Sequence, residues 1–581
     1  MKPILVLFTL VIPFNLFCQT SLISGKILNQ KDGQPIPYAN IFNQTTQKGT
    51  ISNLDGFFQI EITGPKDSVL ISFIGFRNSY IKFQTGRKFY EIKLEESLQL
   101  LNEIVVTPKE NSFLFDLIDS CKKNASENTS NSKAYFELKT FRNDIQLELV
   151  EGFYNAGSRG YELNKLDLKA SRIALQTYHN RFFSSLESSR AITLFKSLKK
   201  SPYFPSDPPN LSKRKAKRNF FLYLEKKYLN NEGDSIFVIE FQPRNQSKAM
   251  FSGQIWINKT KMDFIKIKSI CKNCKTHPFL PLFPSDSIIG VDLEITKSFK
   301  PHNKEMVFNH IDFTYQINYK SRISKPEELN FSIRTNAVLF AYNHLETFFI
   351  PKFSFSSPLV GDYRKINAMP YNKFFWENHD EYCLNDQQQM NQAFFAEASH
   401  TNNTIFNPGP QFNKGFLEHP FVHWSPNRVS FSEIRTDTIE QPFISPEEDQ
   451  FNLAVKIFLD INTYQDSTNI LTATVFDPYD SYFYPPINDV TNCFINMYFD
   501  WCEIQRRNFQ KTLETSVSSP ETMNDIIEDF YRNFNQQRRM FLKKLKLGNN
   551  EAEMEKWNAY IYQELGIDNF RIFDPFPEDK E

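Results

Sequence analysis

The sequence predicts a multidomain chain, mainly β with an α-helical C-terminus: an N-terminal β-sandwich, an antiparallel half-barrel-like middle and a helical end. Three observations predict it. Short runs of β-branched and aromatic residues, cut by Asp-Gly, Gly-Pro and Thr-Gly corners, fill the first hundred residues. Longer alternating runs such as "DSIFVIEFQP" and "DFIKIKSI" carry the chain towards residue 350. Beyond 488, apolar residues recur at helical spacing. At 581 residues there is room for roughly three or four domains, and 59 Phe residues supply apolar surface for real cores. The 67 basic residues balance 67 acidic ones, so no global charge favours nucleic acid or an anionic surface.

Residues 1–19, "MKPILVLFTLVIPFNLFCQ", read as a secretory signal peptide: one Lys, an apolar run from Ile4 to Phe17, then a polar stretch. Cleavage is expected near Cys18 or Gln19. A lipid anchor on Cys18 is disfavoured, because Phe17 stands where a lipobox needs a small residue. No later apolar run approaches the roughly 20 residues that span a bilayer. An exported chain, periplasmic or outer-membrane-associated and without a membrane-spanning helix, is the expectation. Cys121, Cys271, Cys274, Cys383, Cys493 and Cys502 are too few to be the main scaffold. Cys493 and Cys502 are nine residues apart on one expected helix, a rise of about 13.5 Å that no disulfide spans.

Residues 20–107 predict a sandwich of about seven strands. Within it, "GTISNLDGFFQIEI" (Gly49–Ile62) offers Asn53 and Asp55 as turn formers rather than ligands. Asp55-Gly56 reverses the chain through a positive φ, and Phe58, Ile60 and Ile62 then alternate with Phe57, Gln59 and Glu61. Two side-chain oxygens fall short of the roughly six to eight that calcium takes. Gly25, Asp32-Gly33 with "PIPYANI", "GTISNLDGFFQI", "LISFIGF" and "LNEIVV", in this order, resemble a carboxypeptidase-regulatory-like (prealbumin-like) domain. Such domains begin many exported Bacteroidota proteins, outer-membrane receptors among them. The resemblance implies a folding or docking module without peptidase activity. The rest of the chain resembles uncharacterised proteins that carry this domain.

Residues 108–132 predict an amphipathic helix, with Leu114, Leu117, Ile118 and Cys121 on one face, and a polar linker "ASENTSNS". Residues 133–350 predict an antiparallel β domain. Its "FVIEFQP" and "FSGQIWINKTKMDFIKIKSI" resemble LolA-like lipoprotein-carrier domains, in which a sheet curls into a half-barrel. That resemblance implies a concave apolar surface able to hold a lipid or acyl chain. Residues 351–487 read as aromatic, Pro-rich loops with a few strands, notably "FNLAVKIFLDI" and "NILTATVFDPY". A membrane barrel needs many further segments of about ten alternating residues, and the closing "FPEDKE" lacks an aromatic end, so none is expected. Over 488–581, three helices are expected. Val490, Phe494, Met497, Trp501 and Ile504 mark the first, and Met523 to Leu545, after Ser519-Pro520-Glu521, the second. Met554, Trp557, Ile561 and Leu565 mark the third, opened by Asn550 and ended by Gly566.

The sharpest chemical cluster is Cys271-Lys272-Asn273-Cys274 with His277. As a zinc site it lacks a second ligand pair, and as a redox motif it does not open a helix. It reads as a disulfide-clipped or free-thiol loop. His302-Asn303-Lys304-Glu305 mimics an HxxE zinc spacing, but on an extended strand residues three apart face opposite ways. Trp376, His379, Asp380, Glu381, His419 and His423 lie in the 351–440 loops, where such groups do acid–base work or satisfy loop backbone. Arg538, Arg539, Lys543, Lys544 and Lys546 read as the solvated face of a helix. No GxSxG, HExxH, P-loop or dinucleotide glycine motif appears, and no cofactor is implied. The leading expectation is a non-enzymatic exported cell-envelope protein. Its sandwich docks or stabilises, its β domain binds a ligand or envelope component, and its partners are other envelope or outer-membrane proteins or a lipid or acyl ligand. The alternative is an exported hydrolase built on His379, Asp380, His419 and His423.

Overall fold

The computed structural model describes residues 21–97, 112–175, 199–352, 421–429 and 451–577, apart from short stretches within them, and parts of 366–382. The expected signal peptide with Cys18, the "LNEIVV" motif, Asp380, Glu381, Cys383 and His419 lie outside the described residues.

Seven short strands build the N-terminal unit: β1 (Ser21–Asn29), β2 (Asn40–Asn43), β3 (Lys48–Ile51), β4 (Phe57–Ile62), β5 (Val69–Ser72), β6 (Ser79–Tyr80) and β7 (Phe89–Leu94). They form two sheets, ordered β4-β1-β7 and β3-β2-β5-β6. Period-two alternation drives the packing, as expected: Phe58, Ile60 and Ile62 are buried beside Ile23, Ile27, Ile41, Val69 and Ile71. The corner between β3 and β4 is held by Asn53. Its Oδ1 accepts the backbone N–H groups of Asp55 and Phe57, each at 2.9 Å. Gly56 sits at φ +79°, and a Cβ there would stand 2.5 Å from the Ile27 carbonyl oxygen. Both constraints belong to the turn, and Asn53 carries more of it than Asp55.

Helix α1 (Ser112–Lys123) follows and buries Leu114, Phe115, Leu117, Ile118 and Cys121. The expected polar linker is shorter than its sequence suggests. β8 (Thr129–Arg142) already starts at Thr129, because Thr129 to Ser132 pair with Arg159 to Ala156 of β9 (Ile145–Arg159). β10 (Glu162–Leu175) completes a three-strand meander. A 3-10 turn (Pro208–Asn210) and helix α2 (Lys213–Asn219) lead into β11 (Phe220–Leu229), β12 (Ser235–Pro243), β13 (Ser252–Asn258) and β14 (Asp263–Cys271). β15 (Ser287–His302), β16 (Glu305–Lys320) and β17 (Asn330–Asn343) follow. All ten strands form one antiparallel sheet in the order β10-β9-β8-β17-β16-β15-β14-β13-β12-β11, open because β10 and β11 stand at opposite edges.

The C-terminal region packs β20 (Val455–Tyr464) and β21 (Ser467–Phe476) against helices α4 (Asp489–Ser516), α5 (Pro520–Leu545), α6 (Glu551–Leu565) and α7 (Asn569–Phe573). A short helix, α3 (Lys373–Asn378), and strands β18 (Val422–His423), β19 (Phe451–Asn452) and β22 (Tyr482–Phe483) border them. The expected stripe Phe494, Met497, Trp501 and Ile504 is buried, and Gly566 ends α6 in the left-handed conformation. Arg538 corrects the expectation of a wholly solvated basic face, for its guanidinium donates to the Leu453 carbonyl at 3.3 Å. Among the described residues no helix is long and apolar enough to cross a membrane.

Asn53→Ala removes the acceptor of two half-buried backbone donors at the β3–β4 corner and should cost about 1 kcal/mol. Thermal unfolding followed by circular dichroism should show a larger loss for Asn53→Ala than for Asp55→Ala.

Candidate functional site

The ten-stranded sheet has two unlike faces, and each carries a candidate site. One face is covered by helices. Alternation along β12 to β17 turns Ile239, Phe241, Ile255, Ile267, Ile295 and Phe313 to this side, all buried. The chain covers them itself: α1 contributes Leu114, Phe115, Leu117 and Ile118, and the connector before β11 adds Phe204, Leu211 and Ala216. The apolar surface implied by the sequence is therefore present, and α1 roofs it. One charged pair lies within this apolar layer. Lys297 and Asp207 are 1 % and 0 % exposed with 3.8 Å between Nζ and Oδ2. Asp207 also accepts from Ser269 Oγ and from Asn210 N, each at 3.2 Å. Burial lowers the Lys297 ammonium to about 8 despite the attraction of Asp207.

The opposite face receives the N-terminal unit. Ile51 of β3 packs with Tyr135, Phe340 and Tyr342, and Phe73 lies under Lys266, whose Nζ is 5.7 Å from the ring centroid. Tyr38 reaches furthest. Its φ of +59° puts a bulky residue in the left-handed region, and its ring sits 5.5 Å from His310 on β16. Beneath it, His310 Nε2 and Asp312 Oδ2 are 3.6 Å apart, and the Glu137–Lys139 pair closes at 2.7 Å. Burial pushes His310 down to about 3, helped by the Lys266 and Lys300 charges. Burial pushes Asp312 up to about 6, against Lys266. The Tyr38 hydroxyl is held well above its ordinary value by burial, then by Asp312 and Glu137.

A third buried node joins the sheet edge to the C-terminal region. The Lys169 ammonium of β10 is 1 % exposed and pairs with Asp460 of β20, itself 2 % exposed. Lys169 also donates to the carbonyls of Phe349 at 2.9 Å and Ile461 at 3.0 Å. Asp460 accepts further from Asn462 at 2.8 Å and Asn372 at 3.3 Å. Burial lowers the Lys169 pKa, and Asp460 works against that.

The residues singled out from sequence fare unequally. Cys271 and Cys274 are joined in a disulfide, so neither offers a thiolate to a metal, and His277 stacks on Phe279 at 5.7 Å. His302 and Glu305 are not three positions along one strand, as expected, but directly opposite partners across the β15–β16 hairpin. They still diverge: Glu305 accepts from Ser126 and Asn128, while His302 stacks on His344 at 5.0 Å. His379 stacks on Phe375 at 4.0 Å with its Nδ1 3.0 Å from the Phe375 carbonyl, and burial holds it down to about 4. His423 lies on β18, paired with Val475 of β21. Among the described residues no group of three His, Cys, Asp or Glu side chains is placed to hold a metal. Sequence reasoning missed Lys169, Asp460, Tyr38, His310, Asp312 and Lys297. Only Lys297 had a signal: in "VDLEITKSF" it occupies the inward register of Val291, Leu293, Ile295 and Phe299.

Residues 23–106 match the family model of the CarboxypepD_reg-like domain. The N-terminal unit is a CarboxypepD_reg-like domain. Two TonB-dependent receptors of Formosa agariphila are 29 % identical over 104 and 106 residues, covering 17 % and 18 % of this chain. The chain spans 10 % of the length of each of these relatives. Among solved structures, a DUF1329 family protein from Desulfovibrio piger aligns with 10 % identity and a TM-score of 0.18, covering 40 % of this chain and 93 % of its own. A LolA superfamily protein from Nitrosomonas europaea aligns with 10 % identity and a TM-score of 0.17 over the same shares.

Two outcomes are expected. Asp460→Ala strands the Lys169 charge and should cost about 3–5 kcal/mol in urea unfolding, part of which Lys169→Met combined with Asp460→Leu should recover. The second concerns pH. Folded Asp312 keeps its proton up to about 6, whereas the unfolded chain releases it near 4, so its contribution falls as pH rises through that window. His310 acts oppositely: the unfolded chain protonates it below about 6.5 and the folded state resists to about 3, so stability falls as pH drops. Asp312→Asn should therefore raise the melting temperature relative to wild type more at pH 7 than at pH 4 (arms chosen to bracket the roughly 4–6 window).

Proposed function

We propose that this chain is a non-catalytic cell-envelope protein: its CarboxypepD_reg-like domain is a docking module, and its ten-stranded sheet binds an apolar, acyl-type ligand. One observation carries the reading. A continuous apolar sheet face is covered in part by a 12-residue amphipathic helix, α1, whose buried side is entirely apolar apart from the Cys121 thiol, beside Phe204, Leu211 and Ala216 of the connector before β11. The polar ties of that helix region include these: Lys122 donates to the Leu211 carbonyl at 2.6 Å, Asn124 donates to the Lys261 carbonyl at 3.1 Å and to Asp263 at 3.2 Å, and Asp116 pairs with Lys213. An acyl chain replacing Leu114, Leu117 and Ile118 exchanges apolar contact for apolar contact, so lifting α1 costs little beyond those ties. Lys297 with Asp207 gives the same layer one polar point for a ligand head group. The similarity of the N-terminal domain to a short part of TonB-dependent receptors supports an envelope setting.

Of the residues of the hydrolase alternative, His379 is engaged by an aromatic ring and a backbone carbonyl. Titration of the purified protein with a fluorescent fatty-acyl probe tests the proposal. Saturable binding is expected. Ile118→Ala, which loosens the roof, should tighten it by roughly tenfold, because less free energy is spent opening the face. No saturable uptake by either protein would remove the ligand-binding role, and turnover of an acyl ester would favour the hydrolase.

A further inference from the structure

We propose that the disulfide-clipped loop between β14 and β15 is a membrane-contact tip that inserts Leu280 into a bilayer bearing anionic head groups. Leu280 is 82 % exposed, although its neighbour Phe279 turns inward and packs on Tyr315 with ring centroids 4.4 Å apart. The base of the loop is held by a disulfide and by backbone hydrogen bonds. The Cys271–Cys274 disulfide closes its base, Cys274 N donates to the Val291 carbonyl at 2.6 Å, and Asn273 N donates to Asp292 at 2.8 Å. Gly290 makes room for this base, since a Cβ there would stand 2.9 Å from Asn273 Oδ1. The residue before it, Ile289, is 58 % exposed, so the apolar surface extends onto the start of β15. From Thr276 to Pro284 the sequence carries no carboxylate.

Charge selects a lipid surface over a protein groove. Lys272, Lys275, Lys320 and Arg322 are exposed at this end of the sheet. Of the described acids there, Asp286 is buried and accepts from Tyr319 at 2.8 Å and from Arg322 N at 3.0 Å, while Asp292 faces Lys272 at 3.3 Å. An exposed apolar tip with exposed cations at the same end of the sheet meets the demands of a bilayer interface, which needs apolar insertion and head-group attraction but no shape complementarity. Phe279 packs on the apolar layer that α1 also covers, whereas Leu280 is exposed, and the membrane proposal does not depend on the acyl-ligand one.

Co-sedimentation of the full purified chain with vesicles of phosphatidylethanolamine and phosphatidylglycerol tests it. Wild type should bind these vesicles better than pure phosphatidylcholine ones. Leu280→Asp should lower the affinity by about tenfold or more with an unchanged melting temperature. Lys272→Gln with Lys275→Gln should weaken binding and flatten its salt dependence. Leu345→Asp, at another exposed site (63 %) beyond the other end of β17, should leave binding unchanged. Absence of vesicle binding by wild type, equal binding by Leu280→Asp, or Leu280-dependent capture of a protein without vesicle binding would each overturn the proposal. Retained acyl-probe binding by Leu280→Asp keeps this result independent of the ligand-binding test.

Discussion

The structure depends on one pairing, that of β8 with β17. Two meanders that each fold locally, β8 to β10 and β11 to β17, become a single sheet only because Lys133 to Arg142 pair with Asn343 to Ile333. At the seam Thr140 and Thr335, 195 residues apart in sequence, bring their hydroxyl oxygens to 2.9 Å within the buried interior. Closing so long a loop is entropically costly. What offsets it is burial on both faces at once: Phe136, Leu138, Ala337 and Leu339 on the helix-covered side, Tyr135, Val338 and Phe340 on the other. Every other relation in the molecule is referred to that sheet. α1 covers one face, the CarboxypepD_reg-like domain sits on the other, and β20 is tied to an edge strand.

These junctions use buried ionisable groups where the cores use Phe and Ile. Lys169 with Asp460, Glu137 with Lys139, and Lys297 with Asp207 are all nearly inaccessible. Such pairs add little net stability over apolar replacements, but they tolerate few alternative arrangements, since a misplaced partner leaves a bare charge in low dielectric. Tyr38, His310 and Asp312 are a different case, a buried polar cluster in which burial holds His310 and Asp312 towards their neutral forms. Apolar area supplies the cohesion, and the Lys169–Asp460 pair ties β20 to the sheet edge.

The sequence by itself determined local structure well. Alternation located the strands, caps located α5 and α6, and Asn53-Leu54-Asp55-Gly56 announced its own corner, because each depends on residues within a few positions. It left Cys271 and Cys274 as a disulfide-clipped or free-thiol loop, and the structure joins them in a disulfide. What only the tertiary structure decided was which distant residues meet. The strand order across the β8–β17 seam, the inward turn of Lys169 and Asp460, and the approach of Tyr38 to His310 involve partners too far apart for any spacing rule to relate. His302 and Glu305 illustrate the limit. Their spacing was plain, but the hairpin that sets them opposite each other comes from the pairing of two 16-residue strands, and long-range ladders leave no local trace in the residues at their turns.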